Sequence, residues 1–406
     1  MSDVAPGATT LPDGAVVRPA EARDLEALCA LVADRGVPED AIDLQLVVET
    51  DEYGIAGTAL VEMDGQVVAT ATLLGETIVA GDTELPIGQI ELVAARAEYE
   101  HRGYVRALMQ WCHERSAYEE HVAQVMIGIP YFYRQFGYVY AIPMHPYAPL
   151  VAMPEADPAI DVRVASESDI PEMAGLQERI QAPFDLYMPH SDDTWAWLVA
   201  REGTVQLVAT RRHEIVGCAR TTPFVGNEPM LVAEIASREA DAVAAILATA
   251  AGPDAARDTL VEVRPGVPGL DPYLGAPQRA DWYYVRIPDV ATLLAALRPE
   301  LERRLERSDF ATSDRTVEIS FWESQLAFPI ANARVGPITT GGPRQVVVAD
   351  GGSGLPPDAV AHLVFGCGAA GLEDRFPDCY LGGQRELMEV LFPPRHADLL
   401  TFYLPS

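Results

Sequence analysis

Hydrophobic and polar positions alternate with a period of two from Thr58 to Met63 and again from Gln66 to Leu73, with Asp64-Gly65 between them. The alternation predicts two strands, and Asp-Gly is a tight-hairpin dipeptide. The same arrangement recurs at Val205 to Thr210 and Ile215 to Thr221, around His213-Glu214. Each hairpin is preceded by a matching stretch, Val17-Arg-Pro-Ala-Glu-Ala-Arg-Asp24-Leu25 and Val162-Arg-Val-Ala-Ser-Glu-Ser-Asp169-Ile170. Both copies read as a short strand running into a helix, with Asp24 or Asp169 near the first turn, where a negative charge suits the helix dipole. A faint internal repeat of this kind predicts two similar α/β units in tandem. The Pro-rich stretch Pro146 to Pro158 marks the boundary between them.

The pattern changes after Asp281. Trp282 to Ile287 reads as a strand, and Val290 to Leu305 as one amphipathic helix with Leu293, Leu294, Leu297, Leu301 and Leu305 on a single face. Short strands follow at Thr316 to Phe321 and Gln345 to Val348. Helices are predicted at Pro357 to Phe365 and Arg385 to Phe392, then an extended stretch from Leu399 to Ser406. The fold class is therefore α/β followed by α+β. The expected organisation is a flexible tail (1–14), an α/β unit (15–150), a second such unit (151–285) and an α+β domain (286–406).

Composition narrows the class. The chain has 406 residues, of which 49% are hydrophobic, ample for several cores. No apolar run is long enough to span a bilayer, so no membrane association is expected. Met1 to Gly14 lacks the charged and apolar regions of a signal peptide. Five scattered cysteines without a C-x-x-C pair speak against disulfides or zinc and fit a reducing cytoplasm. The net charge of −31 excludes nucleic-acid binding through clustered basic residues and suits a cationic ligand. Lysine does not occur, so an arginine-only, acid-rich composition from codon usage or salt adaptation explains the charge equally well.

The chemistry concentrates between Ile87 and Tyr140. Gln89 to Ala95 reads as a buried strand, Arg96 to Glu100 as a polar connection, and His101-Arg102-Gly103-Tyr104 as the turn into a helix, Val105 to Tyr118. A strand, a glycine-bearing turn and a helix N-terminus make a device for holding a pyrophosphate: unpaired N–H groups and the positive helix end face the anion. Gly103 admits close backbone approach, and Arg102 and Arg106 add charge-assisted bonds. Another strand, Gln124 to Ile129, leads to Tyr131-Phe-Tyr133-Arg-Gln-Phe136-Gly137-Tyr138.

These two halves resemble the acetyl-CoA-binding motifs of the GNAT acyltransferase superfamily. The turn Glu100-His-Arg-Gly103-Tyr-Val105-Arg106-Ala-Leu is closest to the Eis-like (enhanced intracellular survival) branch, which is also bulky where this chain has Val105. The resemblance implies two GNAT-like units in tandem and a sterol-carrier-like C-terminal domain. It implies a cytoplasmic acetyl-CoA-dependent N-acetyltransferase acting on a cationic amine such as a polyamine, an aminoglycoside-like compound or a lysine. No metal is implied, and a trimeric or hexameric homo-oligomer is. The alternative class is a non-catalytic acyl-CoA- or lipid-binding regulatory protein. By the resemblance, cofactor contacts fall on Val93, Ala94, Ala95, on His101, Arg102, Gly103, Tyr104, Val105, Arg106, and on Gly128 and Ile129. Tyr133 matches the general-acid tyrosine. The base implied by the Eis-like branch is the terminal carboxylate, here Ser406; Glu91 and water stay open as alternatives.

Three other features complete the reading. The second unit has Glu234-Ile-Ala-Ser-Arg238-Glu-Ala-Asp where the cradle should be, without a glycine, so it is expected to bind no coenzyme. Trp195, Trp197 and Asp192-Asp193 are expected along the substrate cleft, and His113 and His121 on the helix surface. Gly366-Cys-Gly368-Ala-Ala-Gly371 spells G-x-G-x-x-G but follows a helix, and reads as a helix stop and loop.

Overall fold

The computed structural model describes residues 4–50, 54–201, 203–222, 229–252, 258–343 and 352–401. The chain first forms β1 (Thr9–Thr10), β2 (Val16–Pro19), α1 (Leu25–Arg35), α2 (Glu39–Glu49), β3 (Thr58–Met63), β4 (Gln66–Ala80), β5 (Thr83–Ala95), α3 (Tyr104–Tyr118), β6 (Ala123–Met126) and β7 (Val139–Pro143). It continues through β8 (Tyr147–Pro149), β9 (Ile160–Val164), α4 (Ile170–Gln181), β10 (Leu186–Met188), α5 (Asp192–Ala200), β11 (Val205–Arg211), β12 (Glu214–Thr221), β13 (Met230–Ser237), α6 (Ala240–Ala251) and β14 (Thr259–Glu262). The last part holds β15 (Trp282–Arg286), α7 (Val290–Ala296), α8 (Arg298–Glu306), β16 (Asp314–Ser320), β17 (Gln325–Ala331), β18 (Arg334–Val335), β19 (Thr339–Gly341), β20 (Ser353–Gly354), α9 (Ala359–Phe365), α10 (Gly368–Arg375), α11 (Arg385–Leu391) and β21 (Ala397–Leu399).

The internal repeat extends to individual hydrogen bonds. Arg18 donates to Asp24 at 2.6 Å and Arg163 to Asp169 at 2.7 Å. In each copy the same aspartate accepts from the backbone amide three residues earlier, at Glu21 and Ser166. One carboxylate thus closes the helix start and ties it to the preceding strand. Both units then build the same antiparallel run, β2–β3–β4–β5 and β9–β11–β12–β13, followed by a parallel neighbour, β6 and β14 respectively. The Asp64-Gly65 turn has both residues at positive φ, as a two-residue hairpin requires. In the second copy the turn residues are Arg212 and His213, one position earlier than His213-Glu214.

The two sheets exchange strands, which the linear divisions at 150 and 285 miss. β8 pairs with β14 in the second sheet. β15, which the division at 285 leaves almost wholly in the second unit, lies between β6 and β7 of the first sheet. The stretch expected as a flexible tail is held from Thr9 onward, since β1 pairs with β2. The predicted strand Gln124 to Ile129 ends at Met126, which leaves Gly128 and Ile129 in a loop.

The third sheet runs β18-β17-β16-β20, with β19 beside β17. Its inner face and α7–α11 bury against Ile78, Leu85 and Ile87 of the first sheet, in one continuous core. The expected Val290–Leu305 helix breaks at Leu297 into α7 and α8. Pro299, which has no amide to donate, sits in the first turn of α8. Gly366 does end α9, but Gly368 to Gly371 open α10 instead of a loop. The predicted strand Gln345 to Val348 lies outside the described residues. So does Ser406.

Candidate active site

The site begins where two strands part. β5 and β6 are parallel neighbours for three residue pairs, ending at Gln89 opposite Val125. Beyond that point β5 stays paired with β4 but bulges. Thr72 faces Glu91 and Thr70 faces Ala94, so Leu92 and Val93 together oppose Ala71, and Leu92 takes a φ of +54°. The extra residue bends the strand away from β6 and re-aims its backbone. The resulting wedge is a cleft of about 620 Å³. Val93, Ala94 and Ala95 line one wall, Ile129, Phe132 and Tyr133 the other, and His101 with Gly103 to Arg106 the helix end. None of the described side chains hydrogen-bonds the backbone of residues 92–95.

At the helix end, Gly103 has φ +86°, a conformation that strains residues with a Cβ. The space a Cβ would fill there is open. α3 has no acidic residue in its first turn, so its unpaired N–H groups and positive dipole end face the cleft unopposed. Arg102 stacks 4.8 Å from the Tyr99 ring, and Arg106 lies 5.1 Å from Phe136 and donates to Gln135 at 2.5 Å. Neither guanidinium forms an ion pair with a described carboxylate, although Arg102 is near enough to Asp13 to stabilise its charge. A groove of about 690 Å³ continues past Gly103 along the outer face of α3, lined by Arg102, Arg106, Gln110 and His113. Tyr104 is fixed by donating its hydroxyl to Asp13 at 2.8 Å, a bond that also holds the Asp13 carboxyl below the usual range. These features fit a coenzyme A thioester: an anion cradle, an open backbone wall and an elongated cleft.

Tyr133 lies opposite the bulge, 5% exposed. Its hydroxyl makes no hydrogen bond to a described residue. Its ring is held on several sides, edge-on to Phe132, Tyr138 and Tyr284 at centroid distances of 5.0, 6.4 and 5.9 Å. Gly128 lies against it. Burial pushes the phenol well above its ordinary value, and the Glu91 carboxylate adds to this. The proton therefore stays on Tyr133 throughout the physiological range.

Glu91 is buried and accepts from Gln89 at 2.6 Å, so it is neither an edge carboxylate nor half of an ion pair. Burial pushes it up to about 8 against the pull of that bond, and the charges of Asp43, Asp40 and Glu76 add. His113 and His121 are half-buried, not fully exposed on the helix surface. His113 contacts the Tyr138 hydroxyl at 3.2 Å and is pushed down to about 3 by burial; the His121 ring is also buried and shifted downward.

The second unit has the same bulge and a filled wedge. Cys218 faces Ala236 and Arg220 faces Ala233, which leaves Glu234 and Ile235 opposite Ala219, and Glu234 has φ +53°. Here the bulged amide of Glu234 donates to the Glu262 carboxylate at 2.7 Å, and its carbonyl accepts from Gln177 at 2.6 Å. Buried Arg264 grips Asp398 through two bonds of 2.6 and 2.9 Å, which seats the segment around β21 nearby. α6 starts at Glu239 without a glycine and carries Asp241 in its first turn. Trp195 and Trp197 do not line a cleft. Trp195 sits in the core beside His190, and Trp197 packs on Val47 and Leu74 where the units meet. Asp192 and Asp193 form the first turn of α5.

Of the residues expected from sequence, Val93, Ala94, Ala95, His101, Gly103, Tyr104, Val105, Arg106, Ile129 and Tyr133 line one cleft. Arg102 lines the adjoining groove and Gly128 backs Tyr133. Sequence reasoning missed Asp13, Tyr284 and Arg35, the last paired with Glu100 at 2.6 Å on the cleft rim. None lies in a motif, and only the alternating Trp282-Tyr-Tyr-Val stretch hinted at a buried strand. Among the described residues no helix is long and apolar enough to cross a membrane, and no group of three side chains could hold a metal ion.

Comparisons with known proteins agree with this geometry. Residues 18–141 match the model of the acetyltransferase (GNAT) domain. Among curated proteins no sequence matches the chain. Solved structures share the fold over almost the whole length. A GCN5-related N-acetyltransferase from Anabaena variabilis is 14% identical with a TM-score of 0.68, covering 96% of this chain and 100% of its own. A probable N-acyltransferase from Enterococcus faecalis is 12% identical with a TM-score of 0.69, covering 96% and 100%. Eis1 from Mycobacterium abscessus is 16% identical with a TM-score of 0.61, covering 94% and 98%. Residues 18–141 thus form an acetyltransferase domain of the GNAT family, which makes the chain an acyltransferase, and its overall fold is shared with Eis1 from Mycobacterium abscessus.

Proposed function

We propose that the protein transfers an acetyl group from acetyl-CoA to a cationic amine, with Tyr133 as general acid. The observation that carries this reading is the wedge between β5 and β6, which joins an anion cradle at Gly103 to the Tyr133 phenol, whose hydroxyl has no hydrogen-bond partner among the described residues. The backbone around Val93 polarises the thioester carbonyl; one such donor is worth about 3 kcal/mol of transition-state stabilisation. The first turn of α3, with Arg102 and Arg106, holds the pyrophosphate. As the amine nitrogen bonds to the carbonyl carbon and the carbon–sulfur bond breaks, Tyr133 passes its proton to the departing sulfur.

The amine proton needs a base. Glu91 is favoured, because a carboxyl raised to about 8 and close enough to Tyr133 to influence its proton is poised to cycle near neutrality. The carboxylate of Ser406 is the competing assignment. The carboxylates facing Glu91, and the overall charge of −31, support a cationic acceptor. The β16–β20 sheet with its helices fits a sterol-carrier-like domain with a structural role, since its apolar face is spent on packing against the first unit.

The test is release of free thiol from acetyl-CoA in the presence of a panel of polyamines, aminoglycosides and lysine peptides. Turnover with at least one cationic amine, slowed about 100-fold by Tyr133→Phe with coenzyme affinity retained, supports the reading. Coenzyme binding without turnover of any amine would instead favour a non-catalytic acyl-CoA-binding protein.

A further inference from the structure

The first sheet contains a strand that its own unit does not supply. β15 follows β14, the last strand of the second sheet in chain order, and pairs with β6 through Tyr284–Met126, Val285–Val125 and Arg286–Gln124. On its other side it pairs with β7, and the register slips between Tyr283 and Tyr284. The slip separates the duties of the two neighbours. Tyr283 contacts the Leu399 carbonyl and the Thr401 hydroxyl, each at 3.4 Å, beside the filled wedge of the second unit. Tyr284 is wholly buried and packs against Tyr133 of the active cleft.

Three contacts define what Tyr284 does there. Its ring stacks on Tyr140 at 4.0 Å and 22°. It meets Tyr133 edge-on at 5.9 Å and 66°. Its hydroxyl donates to the Ile129 carbonyl at 3.3 Å. The carbonyl it holds belongs to the loop Gly128–Ile129 that leaves room for the Tyr133 ring, so Tyr284 fixes both the ring and the loop beneath it. Aromatic pairs of this geometry contribute beyond simple burial and prefer one orientation. A general acid depends on that orientation, because a small misplacement of a reacting group costs rate steeply.

We propose that Tyr284 is a positioning residue for Tyr133, and that the catalytic cleft is therefore incomplete without the strand that returns to it after the second sheet. The proposal rests on Tyr133 being the acid. Tyr284 needs no contact with substrate, and its effect passes through the orientation of the Tyr133 hydroxyl.

The experiment is a double-mutant cycle on the full chain, read as kcat and KM by thiol release with coenzyme affinity measured in parallel. Tyr284→Leu is expected to lower kcat 10- to 100-fold in the native background, with coenzyme Kd within about threefold. In the Tyr133→Phe background the same change is expected to cost less than threefold. Tyr284→Phe keeps the ring but not the bond to the Ile129 carbonyl, and is expected to fall between the parent and Tyr284→Leu in kcat. An equal loss from Tyr284→Leu in both backgrounds, or a loss confined to coenzyme affinity, would overturn the proposal. If Tyr133→Phe alone leaves kcat unchanged, the acid assignment falls and this inference with it. A loss on Tyr133→Phe that is merely additive with Tyr284→Leu removes only the inference. Should Tyr284→Leu melt below the assay temperature, Tyr140→Ala, at the half-buried stacking partner, replaces it in the cycle with the same two readings.

Discussion

Gly128 stands against the ring of Tyr133: a Cβ at position 128 would lie 2.4 Å from the Tyr133 Cε2 and 2.9 Å from its Cδ2. No side-chain carbon fits there without moving the ring. Gly128→Ala is therefore expected to lower kcat by at least 10-fold while coenzyme affinity changes little, because the anion cradle lies elsewhere. Thiol-release kinetics beside calorimetric coenzyme titration check this. Unchanged kcat would show that the ring tolerates displacement and is not oriented by the loop.

Gly103 is demanding for a different reason. Its φ of +86° disfavours any Cβ, although the surrounding space is open. Gly103→Val is expected to cost about 1 kcal/mol or more in stability. It should also weaken coenzyme binding at least 10-fold, since a side chain then occupies the cradle. Thermal melting and titration with desulfo-CoA separate the two effects.

Asp13 reaches the site through Tyr104. Asp13→Ala removes the partner of a buried phenol at the first position of α3. The expected result is a several-fold rise in coenzyme KM with kcat retained, because the bond shapes the cradle and not the acid. A change in kcat alone would contradict this placement.

Glu91 makes the pH dependence specific. Its folded-state value, about 8, lies above the ordinary carboxylate value of 4.5. Between these two values the native state holds a proton that the unfolded state has lost. Its contribution is thus fully present below about 4.5 and is lost as pH rises toward 8. Glu91→Gln, neutral at every pH, is expected to raise the melting temperature relative to the parent, by more at pH 8 than at pH 5. If Glu91 is the base, the same variant also loses the rise of kcat with pH near 8. Retained pH dependence in Glu91→Gln would move the base to Ser406, a shift that one residue added after Ser406 would then expose.

Much of this was legible in the sequence, because local rules governed it. The hairpin at Asp64-Gly65, the repeated strand-to-helix turns at Asp24 and Asp169, and the α3 start at Gly103 all follow from dipeptide and capping chemistry. The cleft residues followed, since Gly103 and Tyr133 sit in successive connections, the one after β5 and the one after β6. Long-range pairing was not legible. Nothing in the letters Trp282 to Arg286 says that this strand slips between β6 and β7, because any exposed pair of edges could accept an apolar alternating strand. In the second unit the missing glycine was legible, but the Glu262 carboxylate that accepts from the bulged Glu234 amide was not, because the two lie 28 residues apart in sequence. Trp195 and Trp197 misled because burial and cleft lining call for the same residue types.

The central claim is that one wedge is open and its repeat is plugged. Calorimetric titration of the full chain with acetyl-CoA tests this directly. The account predicts a single binding event of one coenzyme per chain, weakened at least 10-fold by Gly103→Val and unaffected by Glu262→Ala. Two coenzymes per chain, or binding that is unchanged in Gly103→Val and vanishes in Glu262→Ala, would contradict it.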